Sequence, residues 1–438
     1  MSTDNKRRFN FYLVQAVVFL LLLAGILIII AGFIPLRSSL FQKQAEKMAR
    51  KYGADSCTVE IVEVTAWKSI ILRNAFFHFK IDKKRSCTVR CKEMNISGSV
   101  INLYLMRDKI KNHIRKNKKA LMNHFKDKPE QAVGFFYKSG KTILKNRGIS
   151  CSGTAVSLKD GKKETISLKN GTFSFAEKGK KGESLQVNYK LASVAVLGDG
   201  IENVSGNCSI DNQGMIKIAL KKGTYCDGTV SAEGTIALNE RMIKKYLVNI
   251  INMDFNYWYT MHVGVGSITG RANIRATGQN RSLKEPYPVD SISLLLSDSK
   301  IEKLPVQQSL ATSLFLPELS SLQFTALKCS VVFDTTDTIS AKIKGEGPDL
   351  NFTSNGWSTV SGKMQYRMDG TFTREKVKRF PAVVRKMLVP APKGGGKFGC
   401  RIYGKLSDPR FELDKETLQR AIGSMFDDFK DEIIKMYR

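Results

Sequence analysis

The chain has 438 residues and a formal net charge of +30 at pH 7, with 70 Lys and Arg against 40 Asp and Glu. Apolar residues make up 42% of it, enough to bury a core, which excludes wholesale disorder. The length fits two or three ordinary domains or one long one, and the charge points to polyanions or anionic lipid headgroups as neighbours.

No charge occurs between Arg8 and Arg37, and Leu13 to Ile34 is almost entirely apolar. About 20 such residues cross a bilayer as a helix, so a transmembrane helix is predicted over 9–36. The apolar core is longer than that of a cleaved signal, and Pro35-Leu36-Arg37 offers no small-x-small cleavage site. Lys6, Arg7 and Arg8 keep residues 1–8 in the cytoplasm by the positive-inside rule, placing the bulk of the chain outside it. The pattern over 37–52 reads as a short amphipathic helix leaving the membrane. Its cations Arg37, Lys43, Lys47, Arg50 and Lys51 are candidates for contact with headgroups.

After Gly53 the apolar period becomes two, the mark of half-buried antiparallel strands, as in Cys57, Val59, Ile61 and in Phe77, Phe79, Ile81. The region 37–240 is predicted β-rich, with a basic helical insertion over 103–146. Between 101 and 150, thirteen Lys and Arg face three Asp and Glu. Strands return with turn signals at Lys159–Lys162, Lys169–Gly171, Gly198–Gly200, Asp211–Gly214 and Cys226–Gly228, where Asn-Gly and Asp-Gly supply the positive φ of tight hairpins. Met242, Tyr246, Leu247, Ile250 and Ile251 predict a helix over about 239–256, within a helical connector at 241–262. A second meander follows over 263–414, with a short helix at 306–315 and another at 374–388. Residues 415–438 carry Leu418, Ile422, Met425, Phe426 and Phe429 at three-and-four spacing, an amphipathic helix that Asp414 or Thr417 would cap.

No catalytic constellation emerges. His78, His113, His124 and His262 lie in unrelated contexts, and neither HExxH nor GxSxG occurs. Lys393-Gly-Gly-Gly-Lys397 lacks the Lys-Ser/Thr ending of a phosphate loop and reads as a hairpin loop. Cys87 and Cys91 have no partnering CxxC or His, so no metal is expected. The eight cysteines, irregularly spaced, read better as buried thiols than as a disulfide framework. No enzyme activity, cofactor or nucleic-acid partner is predicted.

The order of elements resembles the AsmA-like family of inner-membrane-anchored proteins of diderm bacteria, relatives of TamB and the bridge-like lipid transfer proteins. The residues that carry the resemblance are Gly153–Gly161 leading to Ile166–Phe173, and Ile339–Gly345 through Asn355-Gly-Trp357 to Gly362–Tyr366. The closing Gly404-Lys-Leu-Ser-Asp-Pro-Arg-Phe-Glu-Leu-Asp414 is the most similar piece. The resemblance implies a mainly β fold: an N-terminal transmembrane helix, then a long bent antiparallel β-meander forming a taco-like groove, with a C-terminal amphipathic helix. It implies a single-pass inner-membrane protein with its bulk in the periplasm, binding or transferring phospholipid in support of outer-membrane biogenesis. Candidate groove residues are Phe77, Phe79, Leu185, Val187, Tyr189, Ile216, Ile218, Leu327, Val331, Phe333 and Phe352; the same residues would equally form an ordinary closed core. The alternative function is an anchored envelope scaffold whose basic surface binds polyanions or an envelope protein partner.

Overall fold

A computed structural model describes residues 55–65, 69–80, 85–97, 148–161, 163–178, 184–196, 199–211, 213–237, 240–282, 288–313, 316–334, 337–405, 408–420 and 422–423. The predicted transmembrane helix, the headgroup candidates Arg37, Lys43, Lys47, Arg50 and Lys51, the insertion at 103–146 and the end of the last helix lie outside the described residues. Among the described residues, no helix is long and apolar enough to cross a membrane.

The strands form one antiparallel sheet of nineteen that does not close. They are β1 (Ser56–Thr65), β2 (Ser69–Lys80), β3 (Arg85–Ser97), β4 (Ile149–Asp160), β5 (Lys163–Lys178), β6 (Ser184–Val196), β7 (Asp199–Asp211), β8 (Met215–Tyr225), β9 (Gly228–Ala237) and β10 (Met242–Asp254). There follow β11 (Ser267–Ser282), β12 (Ser291–Glu302), β13 (Ser321–Phe333), β14 (Thr338–Glu346), β15 (Leu350–Thr359), β16 (Lys363–Phe372), β17 (Val389–Pro390), β18 (Gly396–Lys405) and β19 (Asp408–Leu413). Each pairs with its neighbours in sequence, except that β16 pairs directly with β18. The fold divides into two compact units: residues up to 225 with 230–247 and 278–288, and residues 226–229, 248–277 and 289 onward.

In the first unit one face is strongly buried: Phe77 and Val89 are wholly inaccessible, and Leu72, Cys87 and Met94 nearly so. The alternation that produces this face is not continuous. In β4 the buried residues run Ile149, Cys151 and then Thr154, Val156, Leu158; in β5 they run Ile166, Leu168 and then Phe173, Phe175. The phase slips by one residue, and at each slip a residue takes positive φ: Asn74 (52°) in β2, Gly153 (59°) in β4, Asn170 (48°) in β5 and Asn203 (52°) in β7. The register shifts at the same places, between Cys151 and Thr154 and between Glu202 and Ser205.

These slips line up across β2, β4, β5 and β7. Asn74 falls between the pairs Arg73–Glu93 and Ala75–Cys91, and a Cβ on Gly153 would meet Lys92 Cβ at 2.6 Å. They make a crease across the sheet, because a bulge bends its strand and increases the local twist. Asn and Gly hold it because other residues pay about 1–2 kcal/mol for the left-handed conformation. Lys169-Asn170-Gly171, expected as a hairpin turn, is part of this crease inside β5, which continues to Lys178. Cys226-Asp227 is a true hairpin turn, with both residues at positive φ (47° and 60°) between β8 and β9.

The helix expected at 239–256 is instead β10, followed by α1 (Phe255–His262). The run Tyr246–Ile251 is apolar at almost every position and fits a strand covered in part on both faces as well as a helix. Asp254 caps α1, accepting a hydrogen bond from Tyr257 N at 3.2 Å.

In the second unit α2 (Pro305–Ser313), a 3-10 turn at Pro317–Ser320 and α4 (Ala382–Met387) lie over β15, β16 and β18. Leu310, Leu316, Leu319, Phe380, Val384 and Leu388 form one buried core with Leu350, Met368, Phe372, Phe398 and Cys400. Phe372 stacks on Phe398 at 5.1 Å and meets Phe380 edge-on at 5.0 Å. The helix expected at 374–388 is divided into α3 (Arg374–Arg379) and α4, because Pro381 lacks the amide to continue it. Asp414, at the end of β19, accepts from Thr417 N at 2.8 Å and caps the helical residues 415–420; Thr417 Oγ1 accepts from Gly399 N at 3.2 Å.

Candidate functional site: a half-exposed apolar cleft

Pairing in the second unit aligns apolar side chains into rows. Ile274, Leu294, Cys329 and Ile343 oppose one another across β11 to β14, and beside them run Ala276, Ile292, Val331 and Ala341. Successive side chains point to opposite faces of a sheet, so both rows lie on one face. Followed further, the first row reaches Ser354, Met368 and Cys400, all buried beneath the helices. Over β11 to β14 the residues of both rows remain half-buried. Among the described residues, helices therefore close this apolar face over its last strands and not over the preceding ones.

A cleft of about 360 Å³ lies at the uncovered part, its lining mostly apolar and including Ile250, Ile274, Leu294 and Cys329. Its volume is at the low end of the range for small-molecule sites, about 300–1,000 Å³. Burial raises the Cys329 thiol pKa and so keeps the sulfur in its neutral, apolar form. Arg275 and Lys328 also line the cleft, which offers shape and apolar surface together with two cations.

The candidate groove residues fall into three groups. Leu185, Val187 and Tyr189 on β6 share a face with Ile216 and Ile218 on β8 through the rows Leu185–Ile210–Ile216 and Val187–Cys208–Ile218. Leu185, Val187 and Ile216 are buried there, while Tyr189 and Ile218 are half-buried. The Tyr189 hydroxyl donates to Ala219 O at 3.1 Å, passing over Gly206, where a Cβ would come within 2.6 Å of it. Burial first, then neighbouring Cys208, pushes the Tyr189 hydroxyl up to about 12. Phe77 is wholly buried across the crease from these residues, and Phe79 pairs in register with Cys87. Leu327, Val331, Phe333 and Phe352 belong to the second unit and are half-buried. Val331 stands in the uncovered rows, and Phe333 opposite Ile339 at their end. Phe352 packs on the helix-covered core and meets Phe324 edge-on at 5.5 Å.

Sequence reasoning missed Ile274, Ile292, Leu294 and Ile343, although each stands at an alternating apolar position. The available signal was strand pairing: these four share rows with Cys329 and Val331.

The opposite face of the same sheet mixes cations and small polar residues with exposed Val332, Trp357 and Tyr403. Arg275, Lys342, Arg367 and Arg401 occupy one row, with Ser293, Ser330 and Asn355 between them. Lys344 pairs with Glu346 at 2.7 Å, and Arg367 lies 3.7 Å from Asp369. Among the described residues, no group of three or more His, Cys, Asp or Glu is placed to hold a metal ion. No family model, curated protein or solved structure matches the chain.

Proposed function

We propose that this chain is a membrane-anchored lipid-handling protein of AsmA-like type, which takes up phospholipid acyl chains on the uncovered apolar face of β11 to β14. The observation that carries this reading is the pair of half-buried rows through Leu294 and Val331, which leaves an apolar cleft of about 360 Å³. An acyl chain gains about 0.8 kcal/mol for each methylene it buries, so six methylenes in the cleft contribute about 5 kcal/mol. The charge-free run before Arg37 would place the chain in the inner membrane of a diderm bacterium, with a cytoplasmic N-terminus and a periplasmic body. The headgroup would remain in water beside the cleft.

The test is transfer of a fluorescent phospholipid between donor and acceptor vesicles by the full chain, with Leu294→Asp as comparison. Transfer by the parent chain, lost in the variant while its circular dichroism is unchanged, supports the reading; no transfer above protein-free vesicles sinks it.

A second reading rests on the opposite face. The row Arg275, Lys342, Arg367 and Arg401 would suit a scaffold that binds an envelope polyanion. Salt-sensitive capture of the full chain on a polyanionic resin, lost in Arg367→Ala/Arg401→Ala and unaccompanied by lipid transfer, would favour it.

A further inference from the structure

Eleven large apolar side chains are exposed among the described residues, and five of them fall within residues 251–266: Ile251, Tyr257, Met261, Val263 and Val265, each between 48% and 56% accessible. Ile251 borders the cleft, and the other four stand on α1 and the turn after it, a concentration that marks a contact surface. The chain there is ordered by its own bonds. Phe255 and Tyr259 turn inward from α1, while Tyr257 and Met261, four residues apart, share the outward side. The Tyr259 hydroxyl donates to Val265 O at 2.7 Å, and the amides of Val263 and Gly264 donate to Tyr259 O. Gly264 and Gly266, at φ of +69° and +71°, let the chain reverse there. The result is a tied tip that holds Val263 and Val265 outward.

Its composition selects the occupant. From Phe255 to Gly270 sixteen residues pass without an Asp, Glu, Lys or Arg, in a chain that is 25% charged. A stable protein interface takes roughly 20–30 residues a side, so five side chains are too few for a second copy or a folded partner. A bilayer needs no matching surface and penalises charge, which the tip lacks. Tyr257 and Trp258 are of the type enriched at the membrane–water boundary. At its base Arg271 and Lys303 stand with Asp254 and Glu302, and it is the chain's net charge of +30 that draws the molecule toward anionic headgroups.

We propose that the α1 tip, Tyr257 to Val265, inserts shallowly into the interface of an anionic phospholipid bilayer. The inference stands whether or not the cleft carries lipid. Trp258, which packs on Phe255 at 5.3 Å and on His262 at 5.2 Å, supplies the reporter. The full chain carrying Trp67→Phe and Trp357→Phe is reconstituted in vesicles of phosphatidylcholine and phosphatidylglycerol, with or without bromine on the acyl chains. Quenching of Trp258 in the brominated vesicles, lost on Met261→Asp with unchanged circular dichroism, is the expected result. Equal emission in both vesicle types overturns the proposal, and so does quenching that survives Met261→Asp. A lipid-free dimer that Met261→Asp converts to monomer also overturns it, in favour of a second copy. Lipid transfer without Trp258 quenching would leave the cleft standing and remove only the tip.

Discussion

Two truncations on the same sheet face should differ several-fold in cost. Phe372 is wholly buried, between the rings of Phe398 and Phe380. Phe372→Ala removes its transfer free energy and leaves a cavity that the helices cannot fill, about 3–5 kcal/mol. Leu294 is half-buried on the open cleft, so Leu294→Ala gives up roughly half the transfer term and leaves no closed cavity, about 1 kcal/mol. In a unit of this size 1 kcal/mol moves the melting temperature by about 2–4 °C. Phe372→Ala should therefore lower the transition of the second unit by about 6–20 °C, and Leu294→Ala by about 2–4 °C. Trp258 and Trp357 both lie in that unit, so thermal melting of the full chain followed by tryptophan emission, in a Trp67→Phe background, reads it. Added phospholipid should raise the midpoint of the parent more than that of Leu294→Ala. Equal falls for the two variants would show that Leu294 faces a closed core, and would refute the cleft.

The crease should be sensitive to residue type: Asn170→Val costs about 1–2 kcal/mol in denaturant titration, whereas Asn170→Gly is nearly neutral. At the C-terminal end, Thr417→Val removes the acceptor of Gly399 N–H and leaves that donor buried, a loss of about 1–3 kcal/mol by the same measurement. Burial, with the Asp369 and Asp414 carboxylates, raises the Cys400 thiol from its ordinary 9.0 to about 12. The folded state therefore keeps this proton after the unfolded chain has lost it. The stabilisation is complete below pH 9 and falls as pH rises toward 12, by up to about 1.4 kcal/mol per unit; Cys400→Ala should flatten that slope in stability measured against pH. A hydrogen bond with the Cys151 side chain is the largest influence on the Cys91 thiol and lowers its pKa from the ordinary value. Treatment with diamide should join the two in a disulfide detectable by non-reducing peptide mapping; complete alkylation of both thiols after oxidation would contradict that pairing.

Period-two alternation made the strands legible, and the short helix expected at 306–315 is α2 (Pro305–Ser313). Two errors have physical causes. Lys169-Asn170-Gly171 has the composition of a hairpin turn because hairpin turns and bulges both need positive φ; only the continuation of β5 through Phe173 and Phe175 separates them. Met242–Ile251 was ambiguous because a nearly continuous apolar run has no period, and β10 owes its form to pairing with β9. The cleft was half legible. Val331 was identified from its own strand, but Ile274 and Ile343 become relevant only through register with β12 and β13. Whether that face is covered depends on where α2 and α4 fall, a long-range property that no local pattern carries.

The slips of phase show what such a sheet requires. β5 has 16 residues and at about 3.3 Å per residue extends roughly 50 Å, far beyond the usual five or six residues of a strand. A strand of that length twists steadily, and strict alternation would carry its apolar side chains off any common surface. A slip at Asn170, in line with those at Gly153 and Asn203, concentrates the bend on one line and returns Phe173 and Phe175 to the face of Ile166 and Leu168. The second unit uses the same device: Gly270 at φ +136° marks a register shift in β11, and Asp298 at φ 47° lies opposite it in β12. An isolated Asn, Asp or Gly inside an alternating run, coinciding with a change from odd to even apolar positions, is thus the local sign of the crease. On that criterion Asn74, Gly153, Asn170 and Asp298 were each visible in sequence as interruptions, and their alignment across strands is what pairing adds.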